Sequence, residues 1–107
     1  MSTGTENRSG EQRMRKVEIY AARKVADAIV LARTAALAGG FTLADTVGGW
    51  VEGDEVTVEP AVMVIVFVEE AQRLALIEAW KLSAAQYGET SIGVAVDGVF
   101  RVRYVAS

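Results

Sequence analysis

An unbroken apolar segment, AVMVIVFV at residues 61–68, constrains the fold of this chain more than any other feature. It follows the only proline in the 107-residue sequence and is rich in β-branched residues. Because alternate residues of a strand point to opposite faces of a sheet, such a run predicts a strand that is apolar on both faces. Both faces of that sheet therefore need cover.

The composition excludes several classes of chemistry. The sequence has neither cysteine nor histidine. Disulfide bonds, thiolate or histidine zinc sites and histidine-activated nucleophiles are therefore excluded. With no catalytic signature elsewhere, we predict a protein that is not an enzyme and that has neither a metal nor a resident cofactor. No apolar run approaches the roughly 18 residues of a membrane span, and no signal sequence is evident, so we predict a cytoplasmic protein without membrane insertion.

The net charge of −3 is unevenly distributed along the chain. Residues 1–33 carry seven basic and four acidic side chains, whereas residues 34–70 carry seven acidic side chains and no basic one. A domain that binds nucleic acid normally presents a basic surface, because neutralisation of phosphates dominates its affinity. Nucleic acid is therefore not an expected partner.

Apolar periodicity and turn residues predict a disordered polar tail over residues 1–12 and one domain over residues 13–107. The predicted elements are a strand at 15–22, a helix at 25–38, strands at 41–47 and 61–68, a helix at 69–87, and a strand at 91–96 that continues beyond Asp97 and Gly98 to residue 105. The Asp-Gly pair is a hairpin signal, so the tail folds back or bulges there.

This order of elements predicts an α+β protein with the ferredoxin-like βαββαβ plan, in which a four-stranded antiparallel sheet carries both helices on one face. The residues expected to form the buried stripe of the second helix are Leu74, Ile77, Trp80, Ala84 and Tyr87. The other face of the sheet is apolar and lacks cover. We therefore predict that it packs against further copies of the same chain.

Two segments resemble sequence patterns of PII signalling proteins. GFTLADTVGG at residues 40–49 resembles the G-x-T-x-x-(D/E)-x-x-G pattern of their second strand. GVAVDGVFRVR at residues 93–103 is similar to their last strand, which ends in an Arg-x-Arg pair. With matching order and spacing of elements, the chain resembles the PII-like proteins of the PII/CutA superfamily. The resemblance implies a homotrimer that binds adenine nucleotides in the clefts between its subunits.

The resemblance also implies which residues contact a nucleotide. Thr42 is expected beside the adenine, the paired glycines near the phosphates, and the two arginines on phosphate oxygens. The expected nucleotide-binding residues are Thr42, Gly48, Gly49, Gly88, Glu89, Thr90, Arg101 and Arg103. The family's Gly-Asp-Gly-Lys phosphate loop corresponds to residues 87–90, where Thr90 replaces the lysine and Glu89 adds an acid.

The partner-binding loop of the family corresponds to residues 51–60, which are short, acidic and without the glutamine of the 2-oxoglutarate and magnesium site. Nitrogen sensing through this loop is therefore not expected. We predict instead a mobile hairpin tip that contacts an unknown target protein. The residues expected to make this contact are Trp50, Glu52, Asp54 and Glu55.

Taken together, the patterns predict a non-enzymatic PII-like regulatory or signalling trimer. Its effector is expected to be a small anionic metabolite, with an adenine nucleotide as the leading candidate. One alternative is a trimerising or docking module with a vestigial ligand cleft, and another is a CutA-like protein. A small enzyme that uses Glu89, Asp97 or Tyr87 as acid or base is disfavoured, because nothing in the sequence pairs these residues.

Overall fold

The computed structural model describes residues 13–106, so the predicted tail at residues 1–12 lies outside the described residues. The described part of the chain folds into a sheet and two α-helices. The elements are β1 (Met14–Ala22), a 3-10 helix (Arg23–Val25), α1 (Ala28–Ala38), β2 (Thr42–Glu52), β3 (Glu55–Glu69), α2 (Glu70–Gln86), β4 (Ser91–Val96) and β5 (Val99–Tyr104). The predicted ferredoxin-like α+β class is confirmed.

The sheet has the strand order β2-β3-β1-β4-β5, and every neighbouring pair is antiparallel. The fifth strand is a correction to the predicted four. It forms because Asp97 and Gly98 both adopt positive φ angles, 50° and 86°, which are the angles of a two-residue hairpin turn. The Asp97 carboxylate secures this turn by accepting a 2.9 Å hydrogen bond from the backbone N–H of Lys16.

The two faces of β3 differ in cover. Val62, Val64, Val66 and Val68 are buried beneath the helices, together with the residues of β1 that share their face. The alternate residues of β3 lie on the opposite face, where Phe67 is 54% exposed. We call this second surface the open face. The strand is therefore apolar on both faces, as predicted, but a single chain covers only one of them.

The helices begin and end at identifiable residues. The Asp27 side chain caps α1 by accepting a 2.9 Å hydrogen bond from the Val30 N–H, and Gly39 ends the helix with a φ of 80°. This helix starts later than predicted because residues 23–25 form the 3-10 turn instead. Inside the core, the indole N–H of Trp80 in α2 donates to the Thr34 hydroxyl of α1 over 2.9 Å. This bond joins the two helices.

The buried stripe of α2 differs from the prediction at both ends. Leu74 is 58% exposed and Tyr87 is 38% exposed, whereas Leu76 is fully buried. The helix is rotated so that Leu76 and Ile77 together face the sheet. A spacing of three and four fits more than one stripe of the same helix, and contact with the sheet selects one of them.

The hairpin of β2 and β3 is longer than predicted. The second strand was expected to end at residue 47, but pairing continues through Gly48 and Gly49 to Glu52, which pairs with Glu55. This end point is wrong because both glycines keep extended backbone angles within the ladder. We call residues 47–60 the hairpin arm. It extends beyond β1, which pairs with β3 only from Ala61 onward.

Candidate functional site

A cleft of about 620 Å³ lies where β1 ends, between the hairpin arm and the hairpin of β4 and β5. This volume falls within the range of roughly 300–1,000 Å³ that is typical of small-molecule sites. The lining residues are Tyr20, Ala21, Ala22, Gly48, Gly49, Trp50, Glu52, Glu59, Ala61, Gly88, Glu89, Thr90, Ser91, Ile92, Gly93, Phe100 and Val102. Most of those that belong to strands lie on the open face.

An aromatic pair forms one wall of the cleft. The rings of Tyr20 and Phe100 meet edge to face, with centroids 5.9 Å apart and planes at 63°. Gly93 makes this arrangement possible, because a Cβ atom at that position would lie 2.8 Å from the Phe100 ring. Trp50 lines the cleft from the hairpin arm and is 42% exposed. The cleft thus offers three aromatic side chains to a ligand.

The charged side chains that line the cleft are all acidic. Glu52 and Glu59 come from the hairpin arm, and Glu89 comes from the loop between α2 and β4. Lys24, outside the lining, forms a 3.0 Å ion pair with Glu89. Within residues 13–106, neither Glu52 nor Glu59 takes part in an ion pair. Among the described residues, two of the carboxylates that line the cleft are therefore not neutralised by an ion pair.

The loop after α2 is held by local hydrogen bonds. Gly88 has a φ of 77°, and the N–H of Glu89 returns to the Ala84 carbonyl over 2.9 Å, which closes the helix with a left-handed glycine. Nearby, the Tyr87 hydroxyl donates a 2.7 Å hydrogen bond to the Asp27 carboxylate. The backbone N–H of Val30 and this hydroxyl lower the pKa of Asp27, and the same carboxylate raises the pKa of Tyr87.

The structure brings together only part of the predicted nucleotide site. The predicted nucleotide-binding residues that line the cleft are Gly48, Gly49, Gly88, Glu89 and Thr90. Trp50 and Glu52, which were predicted to contact a partner protein, also line it. Thr42 lies near the opposite end of the sheet, paired with Ile65. Asp54 sits in the two-residue turn of the arm, and Glu55 pairs with Glu52 but does not line the cleft. The partner-contact role of these arm residues stays a prediction.

Arg101 and Arg103 lie on the other side of β5 from the cleft. They pair with Val94 and Ile92, both of which are buried on the helix-covered face. Paired residues share a face, and alternate residues of a strand point to opposite faces. The cleft accordingly receives Phe100 from the same strand and neither arginine. Their contact with phosphate stays a prediction.

Sequence reasoning missed Tyr20, Gly93 and Phe100 as cleft residues. The alternation of β1 does place Tyr20 opposite the buried Ile19, and this signal could have assigned it to the open face. That Gly93 pairs with Tyr20 depends on the register between β1 and β4. The position of Phe100 depends in turn on the hairpin that forms β5. The first is a contact between segments that are distant in the chain, and the second depends on a local turn between neighbouring strands.

Neither a metal site nor a membrane span is found in the described residues. No group of three or more Asp, Glu, His or Cys within residues 13–106 could hold a metal ion. In the same part of the chain, no helix combines the length and the apolar character needed to cross a membrane.

Comparison with known proteins shows similarity of fold. No protein-family model matches the sequence, and no curated protein matches it. A phage SAM lyase in complex with S-methyl-5'-thioadenosine is similar, with a TM-score of 0.64 and 14% identity over 88% of this chain and 92% of that chain. A DUF3240 family protein from Shewanella baltica has a TM-score of 0.60 and 18% identity over 80% of this chain and 89% of that one.

A Bacillus cereus protein related to NIF3 is also similar, with a TM-score of 0.61 and 15% identity over 87% of this chain but only 27% of that chain. None of these three proteins is described as a PII or CutA protein. The resemblance to the PII/CutA superfamily therefore stays a prediction.

The phage SAM lyase contradicts the expectation that this protein is not an enzyme. That expectation assumed that a ferredoxin-like chain without histidine or cysteine nucleophiles is a regulator. In the phage protein a similar fold serves an enzyme, and the similarity extends over nearly the whole of both chains. The fold of this chain therefore gives no support to a non-enzymatic role.

Proposed function

We propose that this protein binds a small molecule with an adenosine moiety in the cleft between the hairpin arm and β5. The observation that carries the proposal is the cleft itself, which combines a suitable volume with three aromatic side chains. Two resemblances support the choice of ligand. The phage SAM lyase was solved with S-methyl-5'-thioadenosine, and resemblance to PII proteins implies an adenine nucleotide.

Trp50 is the residue that we assign to stacking on the adenine base. Its indole is partly exposed and lines the cleft, so it offers a flat apolar surface to a planar ring. Gly48 and Gly49 lie beside it on the arm and carry no side chain that would hold a ligand away from the strand. A nucleoside can therefore approach the backbone of β2 closely.

The charge of the cleft favours a nucleoside over a nucleoside triphosphate. Among residues 13–106, its lining contains three carboxylates and no lysine or arginine. Phosphates are normally held by basic side chains or by convergent backbone N–H groups. We therefore propose an uncharged or positively charged adenosine derivative as the preferred ligand, in place of the anionic effector expected from the sequence. An adenine nucleotide becomes the weaker candidate.

A catalytic role is the second candidate function, and the similarity to the phage SAM lyase favours it. The bound adenosine derivative would then be a substrate. Incubation with S-adenosylmethionine (SAM), followed by chromatography, tests this role directly. The expected result is that the parent protein, but not a Trp50→Ala variant, cleaves the bond between sulfur and the amino-acid chain of SAM and releases S-methyl-5'-thioadenosine with the four-carbon amino-acid fragment as the second product. Unchanged SAM at high protein concentration contradicts it.

Calorimetric titration tests the proposed ligand. We expect S-methyl-5'-thioadenosine and adenosine to bind more tightly than ATP, and guanosine to bind weakly. Loss of base stacking in Trp50→Ala should weaken the binding of S-methyl-5'-thioadenosine by about five- to a hundredfold. Val51→Ala is the matched control, because Val51 is adjacent in β2 but lies on the other face and is 69% exposed.

Two results would overturn the proposal. One is that no adenosine compound gives a binding signal with the parent protein. The other is that Trp50→Ala, once shown by circular dichroism to be folded, binds as tightly as Val51→Ala.

A further inference from the structure

We propose that the cleft selects organic cations, and that Glu52 and Glu59 determine this selectivity. The inference rests on the proposed function, because it concerns which adenosine derivative the cleft accepts. The chemical class that it names is a sulfonium, in which a sulfur attached to the adenosine carries a fixed positive charge.

The register of the hairpin arm places both carboxylates beside Trp50. In β2, Trp50 and Glu52 are two residues apart and therefore point to the same face. Trp50 pairs with Thr57 of β3, and the next β3 residue on that face is Glu59, which pairs with Gly48. Glu59 is thus a diagonal neighbour of Trp50 across the strands. The indole is flanked by a carboxylate on each strand.

Among residues 13–106, no cation neutralises these two carboxylates. The third acid of the cleft, Glu89, is paired with Lys24 over 3.0 Å, whereas no ion pair within residues 13–106 includes Glu52 or Glu59. The lining supplies no basic side chain either. A concave surface with charge of one sign concentrates the field of that charge. A cationic ligand would supply the missing counter-charge.

The aromatic side chains suit a cation whose charged atom carries no N–H or O–H group. A sulfonium cannot form hydrogen bonds as a donor, so it is held by the faces of aromatic rings and by carboxylates at a distance. Trp50 lines the cleft from the arm, and the Tyr20 and Phe100 pair lines it from β1 and β5. Rings and carboxylates together provide the two interactions that a sulfonium requires.

Titration with two matched ligands tests the selectivity. SAM and S-adenosylhomocysteine differ by one methyl group and by the positive charge on sulfur. We expect the parent protein to bind SAM about tenfold more tightly, and we expect Glu52→Gln and Glu59→Gln each to weaken SAM binding about two- to tenfold. Binding of S-adenosylhomocysteine should not change. Raising the salt concentration should narrow the preference of the parent protein for SAM.

Glu55→Gln provides the matched control. Glu55 pairs with Glu52 and shares the face of Trp50, but it does not line the cleft, so this variant removes one negative charge from the arm and leaves the lining residues unchanged. It should bind SAM like the parent protein. If Glu55→Gln weakens SAM binding as much as Glu59→Gln does, the effect comes from the overall charge of the arm, and the inference is overturned.

The same titrations separate this inference from the proposed function. If neither SAM, S-adenosylhomocysteine nor S-methyl-5'-thioadenosine binds, the adenosine site itself is refuted. If all three bind with equal affinity and the glutamine variants of Glu52 and Glu59 bind as the parent does, the adenosine site stands and only the charge selectivity is wrong.

Discussion

Gly93 is the residue on which the aromatic wall of the cleft depends. A Cβ atom there would lie 2.8 Å from two atoms of the Phe100 ring and 3.4 Å from the Cβ of Tyr20. Its φ angle is not positive, so alanine fits the backbone at this position. The obstacle to alanine is therefore the ring alone, and the ring is 56% exposed.

Gly93→Ala should therefore affect ligand binding more than folding. Displacing Phe100 from Tyr20 should lower the free energy of unfolding by about 0.5–1.5 kcal/mol, which is the usual contribution of an aromatic pair. Binding of S-methyl-5'-thioadenosine should weaken at the same time. Chemical denaturation and calorimetry measure the two effects. In a Phe100→Ala background, Gly93→Ala should have little further effect on the free energy of unfolding. If Gly93→Ala lowers that free energy as much in this background as in the parent protein, the explanation is contradicted.

Thr34 is the polar residue on which the buried indole of Trp80 depends. Thr34→Val keeps the shape of the side chain but removes the acceptor of the Trp80 N–H, so a buried donor loses its partner. The expected decrease in the free energy of unfolding is about 1–3 kcal/mol. Thr46→Val, on an exposed part of β2, should change stability much less.

A double-mutant cycle checks this explanation. When Trp80 is already phenylalanine, no indole N–H is left without a partner, and Thr34→Val should then destabilise the protein less. Equal destabilisation in both backgrounds would mean that the hydroxyl acts through its own 2.7 Å bond to the Val30 carbonyl.

At the scale of elements, Asp27 connects the start of α1 to the end of α2. Its carboxylate caps α1 at Val30 and accepts the Tyr87 hydroxyl bond, and both interactions lower its pKa from the ordinary value of 3.8. As the pH falls, the carboxylate of Asp27 is therefore protonated at a higher pH in the unfolded chain than in the folded protein. The stabilisation by Asp27 is complete above the unfolded-state pKa and is lost as the pH falls through the lower folded-state pKa.

Asp27→Asn should remove part of the decrease in stability that occurs at low pH. Asparagine still caps the helix but does not titrate, so the difference in melting temperature between parent and variant should shrink as the pH falls below about 4. Asp97 and Glu70 also have lowered pKa values and contribute to the acid sensitivity of both proteins. Thermal melts from pH 7 to pH 2 measure the difference. A constant difference over this range would show that the charge of Asp27 does not contribute.

The hairpin arm is the element that sequence reasoning described least well. Glycines at positions 48 and 49 look like a strand end, because glycine is common in turns. In the sheet they remain paired with Glu59 and Val58, and the turn forms later, at Gly53 with a φ of 63°. Pairing to a partner strand overrode the local preference of these residues, and the arm thereby became a wall of the cleft.

At the scale of the whole molecule, the open face exposes several large apolar side chains. Its exposed side chains include Phe67, Phe100, Val102 and Tyr104. Apolar surface of this kind usually marks an interface. We propose that further copies of the chain cover it in a homotrimer, with the number three taken from the resemblance to PII proteins.

Light scattering tests the assembly. The parent protein should have the mass of a trimer at micromolar concentration, and Phe67→Asp should dissociate it because burying the charge of a carboxylate in an interface costs free energy even opposite Lys16. Leu82→Asp is the control, since Leu82 is 62% exposed on α2 and does not belong to the open face. A monomeric parent protein would contradict the trimer, and dissociation by Leu82→Asp would place the interface on the helices.

Local patterns in the sequence determined the class of the fold. The apolar run at residues 61–68 required a strand with two apolar faces, and β3 has them. Asp97 and Gly98 required a turn, and the chain reverses there. These features depend on neighbours within a few residues, so the sequence records them directly.

Only the tertiary structure decided the composition of the cleft. Tyr20, Gly93 and Phe100 meet because β4 pairs with β1 on one side and with β5 on the other. The same register turns Arg101 and Arg103 away from the cleft. Alternate side chains of a strand point to opposite faces, so a shift of one residue in the pairing exchanges the two faces. The register between β1 and β4, which prevents this shift, is set by contacts between segments that are distant in the sequence. Alternation along a strand is therefore visible in the sequence, but the face that meets the cleft is not.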